Sequence, residues 1–225
     1  MLPLIRAAEG EPQVIAASLC VAGAALSWLA LMLRRKRRDA PGPGVILRRA
    51  AQVQMVGAVL LLAGLFAVAQ GLAAMPVVLA VVPVGAGALV ATLVGRQILG
   101  DAPGLWEWPV AIGVLIAAAW TGPLDAVLML LIAGGSAGAQ GLLLRRGDPL
   151  DLLATHMLLA APLAAILLVG DAPLRGLPLV LTLLAALALT FGLWGWLRTG
   201  RAAGSVALLL AAGAGLAMEG WPAIG

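Results

Sequence analysis

The sequence predicts an all-α fold, a polytopic integral membrane bundle of about eight transmembrane helices. Three observations predict it. Only 11% of the 225 residues are charged and 63% are hydrophobic, with a mean hydropathy of +1.08; a soluble domain carries about 25% charge. Apolar runs of about 20 residues, the length a helix needs to cross hydrocarbon, recur along the chain. The basic residues gather at the joints between those runs, as they do where charge sets membrane orientation.

The first thirteen residues hold Arg6, Glu9 and Glu11 ahead of any apolar run. A cleavable signal peptide runs in the opposite order, from a basic end straight into a short apolar stretch. Residues 1-13 therefore read as an extracytoplasmic segment. Spans are then expected at roughly 14-34, 50-72, 76-98, 107-121, 123-144, 150-170, 177-197 and 202-219. Pro76, Pro109, Pro123, Pro149 and Pro178 sit at or just inside the expected starts, where a missing N–H costs nothing. Asp148 before Pro149 reads as a helix cap. The 107-121 span is the shortest, and Trp106, Glu107 and Trp108 mark where it meets the headgroup zone.

The first span ends in Arg34, Arg35, Lys36, Arg37 and Arg38. Each cation would cost roughly 2.5 to 3.5 kcal/mol at the bilayer centre, so the five stay in the cytoplasm and determine the topology. A linker over 35-49, rich in Pro and Gly and ending in Arg48 and Arg49, separates this helix from the rest. Residues 14-121 form a first-half membrane bundle and 122-225 a second. Weaving from the basic knot puts Arg96, Arg145, Arg146, Arg198 and Arg201 on the same side, and leaves only Arg6 and Arg175 opposite. Both chain ends then lie outside the cytoplasm, in a multi-pass protein of the cell (inner) membrane.

Glycine is abundant, 29 residues, and concentrates within the apolar runs: Gly134 and Gly135 with Gly138 and Gly141, Gly85 with Gly87, Gly213 with Gly215. In lipid such small faces let helix backbones pack closely. No Lys-Ser or Lys-Thr follows any of them, so phosphate-cradling loops are not indicated.

Two stretches resemble the drug/metabolite transporter superfamily, in its EamA-like branch. Gly192, Leu193, Trp194, Gly195, Trp196, Leu197 and Arg198, followed by Arg201 and the small residues Ala202, Ala203 and Gly204, lead into a helix running to Glu219. Gln70 and Gly71, then Met75-Pro76 and a helix containing Pro83, run to Leu99, Gly100 and Asp101, where the family usually has glutamate. Asp148-Pro149-Leu150 is similar to the family's second-half pattern. The halves also resemble each other: Gly64, Leu65 and Phe66 correspond to Gly192, Leu193 and Trp194, and the two stretches enter the membrane from opposite sides. The resemblance implies degenerate inverted repeats around a midplane cavity. Family members typically have ten helices, so it also implies that the first and last are lacking here.

No Ser, His and carboxylate set, no paired carboxylates within a span and no His/Cys cluster is present, so the expectation is not an enzyme, with no catalytic residue, no metal and no cofactor. Cys20 is the only cysteine and reads as a small buried hydrophobe. The candidate substrate-binding residues are Gln140, His156, Trp194 and Gln54. His156 is the sole histidine, about two turns into its span. A polar group at that depth faces a water-filled cavity or bonds to a neighbouring helix. Gln140 and His156 lie on the cytoplasmic half of neighbouring helices and are the pair best placed to share a site. Two functions follow: a secondary carrier for a small metabolite, or a non-transporting structural or assembly subunit on a carrier-like scaffold. The expected partners are membrane lipids, a small-molecule substrate, and a second copy or a larger membrane complex; the basic run is too embedded in apolar sequence for nucleic acid.

Overall fold

A computed structural model describes residues 2–7, 11–35, 52–144, 148–167, 174 and 176–187. Within them lie seven helices: α1 (Leu2–Ala7), α2 (Pro12–Arg35), α3 (Gln52–Ala74), α4 (Val77–Ile98), α5 (Glu107–Ala119), α6 (Leu124–Leu144) and α7 (Pro149–Leu167). A further apolar helical stretch covers Leu177–Leu187. The described residues contain no strand.

The helix boundaries follow the expected spans closely, but the count of about eight membrane crossings is not reached. Among the described residues four helices, α2, α3, α4 and α6, are long and apolar enough to cross a membrane. Helix α5 has 13 residues and rises about 20 Å, short of a hydrocarbon core of about 30 Å. Trp106 and Trp120 flank it, 77% and 87% exposed, one ring at each end. The eighth expected span, 202-219, lies outside the described residues. Helix α1 was not expected at all: Leu2 and Ile5, three apart and on one face, are buried where α1 docks on α3 and α4.

The order of the bundle follows from small residues. Helix α3 packs on α2, α6 and α7, while α6 packs on α3 and, most extensively, on α4. A methyl group at Gly134 would collide with the Val84 carbonyl, one at Gly87 with the Leu131 carbonyl, and one at Gly138 would lie 2.6 Å from the Ala88 carbonyl. Helices α4 and α6 therefore touch backbone to backbone and run parallel, since 84, 88 and 95 meet 134, 138 and 142 in ascending order. Dispersion between close backbones holds such pairs, because lipid offers no hydrophobic drive.

Helix α3 lies antiparallel to α6. Its glycines repeat every seven residues, and Gly57, Gly64 and Gly71 receive His156, Ser136 and Leu130 respectively. The heptad spacing keeps all three on one stripe of the helix. At the other flank Leu31 of α2 packs on Ala154 of α7. These contacts place the end of α2 that carries Arg34 and Arg35, the Arg96 end of α4 and the Leu144 end of α6 on one side of the bundle. Lys36, Arg37 and Arg38 lie outside the described residues.

On that side Arg96 does more than reach the surface. Its Nε–H donates to Asp101 at 2.8 Å and an Nη1–H to Glu107 at 2.7 Å, fastening the start of α5 to the end of α4. The turn that allows this closes a Schellman motif: the Asp101 N–H donates to the Arg96 carbonyl and the Gly100 N–H to that of Gln97, with Gly100 at φ 81°. The Asp148 carbonyl accepts the Leu152 N–H, which puts Asp148 at the N-cap position of α7.

Candidate functional site

Gln140 and His156 meet. They project from α6 and α7 into the side of α3, and both are buried, at 4% and 1% exposure. The Gln140 Nε2–H donates to the Gly57 carbonyl of α3. That fixes the Gln140 Oε1 as an acceptor, so the His156 Nδ1–H donates to it at 2.9 Å. The imidazole is therefore the Nδ1–H tautomer, assigned from the hydrogen-bond network. Its other edge lies on the Cα of Gly57, where any larger residue would overlap the ring. Three helices thus join through one carbonyl, one amide and one imidazole.

The glycine at 57 has a double role. It admits the ring, and its carbonyl is reachable from another helix because no side chain covers it. Polar groups in hydrocarbon must find partners within the protein, and this arrangement supplies them from three separate segments of the chain.

Directly beside the cluster is a cavity of about 130 Å³ between α3, α4, α6 and α7, with Leu2 of α1 on its wall. Leu61, Leu65 and Val68 of α3 and Leu153 of α7 make most of its surface apolar, and Gln140 and Ser136 of α6 are its polar borders. Ser136 is 6% exposed, and no hydrogen bond engages its hydroxyl among the described residues. Thr155 and Thr182 are satisfied within their own helices, donating to the Asp151 carbonyl at 2.7 Å and to that of Pro178 at 2.8 Å, whereas the Ser27 hydroxyl of α2, fully buried and away from the cavity lining, has no partner among the described residues.

Of the four residues nominated from sequence, the structure brings Gln140 and His156 together. Gln54, half-buried near the start of α3, is not part of the cavity wall. Trp194 lies outside the described residues. Ser136 stands where the sequence places it, one turn before Gln140 on the same helix face. Gly57 is the residue that sequence reasoning did not bring into the site; the seven-residue spacing of Gly57, Gly64 and Gly71 was the available signal for it.

Among the described residues no three His, Cys, Asp or Glu side chains gather as metal ligands would. Cys20 is buried within α2. The chain matches no protein-family model, no curated protein and no solved structure.

Proposed function

We propose that this chain is a membrane carrier of the EamA-like kind, moving a small molecule across the cell inner membrane by alternating access between two inverted halves. In this reading both chain ends are extracytoplasmic and the Arg34 end of α2 is cytoplasmic. One observation carries the proposal: Gln140 borders a cavity between the helices and is at the same time held by groups from α3 and α7. A carrier needs a midplane space whose walls are shared by helices able to shift against one another. Helices α3 and α6 make the wall, and the Gln140–His156 bond is the contact that a shift of α7 would break. Trp194 and Gln54 remain the other proposed substrate contacts, Gln54 from outside the cavity wall, and no covalent chemistry is required of any of them.

A second reading has its own observation. The cavity is small, its walls are mostly apolar, and Gln140, the larger of its polar borders, is engaged inside the bundle. A structural or assembly subunit of a larger membrane complex would look the same. Uptake of a panel of labelled small organic solutes into liposomes separates the two. The carrier reading predicts saturable flux for some solute, reduced about five- to thirtyfold in Gln140→Ala and His156→Ala, the loss expected when a buried charge-free hydrogen bond worth about 1 to 2 kcal/mol is removed from a working contact. Flux equal to that of empty vesicles for every solute would leave the subunit reading standing alone.

A further inference from the structure

We propose that the cavity beside Gln140 binds a small, mainly apolar molecule that carries a single hydrogen-bonding group, and that the Ser136 hydroxyl is the partner of that group. The inference rests on the carrier reading, because it names the class of molecule such a carrier would accept.

Size comes first. A cavity of about 130 Å³ is close to the engineered apolar cavity of about 150 Å³ that takes up benzene. It has room for a ring or a short branched chain of about six carbons and for little else.

Chemistry narrows it further. A water molecule needs two to four polar partners to be held in a cavity, and among the described residues this one has two polar borders. Of those, Gln140 already donates to the Gly57 carbonyl and accepts from His156. An amino acid, sugar or nucleotide would leave most of its own polar groups facing Leu61, Leu65, Val68 and Leu153, and each unpaired group would oppose binding. An apolar molecule meets those walls without loss.

Ser136 sets the remaining requirement. It is more than nine-tenths buried, borders the cavity and has no hydrogen-bond partner among the described residues. Thr155 and Thr182, at similar burial, both bond back to the carbonyl four residues earlier. A hydroxyl left open toward an apolar space is satisfied by a ligand that brings one donor or acceptor with it, such as an alcohol, an ether or a ketone.

Fluorine NMR on the full chain in lipid nanodiscs tests this, with fluorinated benzyl alcohol and fluorinated toluene as probes. A saturable bound resonance is expected for both. Ser136→Ala should weaken the alcohol about fivefold, the effect of one neutral hydrogen bond, and leave toluene unchanged. Ala133→Leu, which puts a larger side chain into the cavity wall, should abolish both; if that variant does not fold, the contrast at Ser136→Ala decides alone. The absence of a saturable resonance in the unmodified protein overturns the inference. So does an equal loss of both probes in Ser136→Ala, or undiminished binding in folded Ala133→Leu. A saturable site in a protein that gives no liposome uptake upholds the pocket and removes the carrier. Uptake of polar solutes without a saturable site does the reverse.

Discussion

Helices α3 and α6 face each other over several turns, yet two levels seven residues apart on α3 behave in opposite ways. At Gly57 the interface is closed: His156 arrives from α7, lies on the glycine and bonds to Gln140, which bonds in turn to the glycine's own carbonyl. At Gly64 the partner is Ser136, no third helix among the described residues contributes a polar group, and the space beside it stays open as a cavity. The difference teaches that a glycine on a membrane helix creates an opportunity, and that its outcome depends on what the next helix brings. A long polar side chain turns the opening into a junction. A short one leaves a pocket.

The most direct way to break this comparison is to add the same methyl group at both levels. Gly57→Ala places a carbon inside the imidazole, which is fixed by its bond to Gln140, and should destabilise the fold by about 3 kcal/mol or more, the upper range for forcing atoms into a packed interior. Gly64→Ala meets the Ser136 Cβ at 3.0 Å next to open space, and should cost about 1 kcal/mol or less. Thermal unfolding in detergent, followed by circular dichroism, reads the ratio; equal losses at the two sites would remove the distinction between junction and pocket.

A smaller effect sharpens it. His156→Leu leaves the Gln140 carbonyl without its donor and should cost about 1 to 3 kcal/mol. Gln140→Leu strands the His156 Nδ1–H and should cost a similar amount. Combined, the two should be less damaging than their sum, with a coupling of at least about 0.5 kcal/mol. Strict additivity would mean that the two side chains do not act as a unit.

Much of the architecture was legible in the sequence because its physics is local. Span length, proline position and the basic knot each follow from what a residue does in lipid or at its surface, and α2, α3, α4 and α6 lie close to where those rules put them. Helix α5 shows where the rules strain: its apolar run was readable, but thirteen helical residues between two exposed tryptophans make a helix shorter than a crossing. Helix α1 was missed because a six-residue element has too few positions for periodicity to stand out. Its burial comes from α3 and α4, which no local pattern announces. The basic pattern puts Arg96 at the cytoplasmic surface; its pairing with Asp101 and Glu107 depends on the turn at Gly100, which lets the chain double back.

The candidate site was half legible for the same reason. Gln140 and His156 stand out as rare polar residues in apolar spans, so their types and their helices were enough to pair them. What they pair through was not readable, because Gly57 carries no chemistry of its own and matters only by what it omits. Ser136 is hidden in another way. Its residue type is unremarkable in a membrane helix, where serine commonly bonds to its own backbone, and only the structure shows this one left open toward a cavity.

The claim on which the rest depends is the bond from His156 to Gln140, and the chain makes it unusually easy to observe, since His156 is the only histidine. Nitrogen-15 NMR of the imidazole in lipid bilayers should give one neutral ring with the proton on Nδ1 and a through-space correlation from that proton to the Gln140 side chain. A ring protonated on Nε2 instead, or one that is cationic at neutral pH and exchanges freely with water, would contradict the junction and the reading of the cavity built beside it.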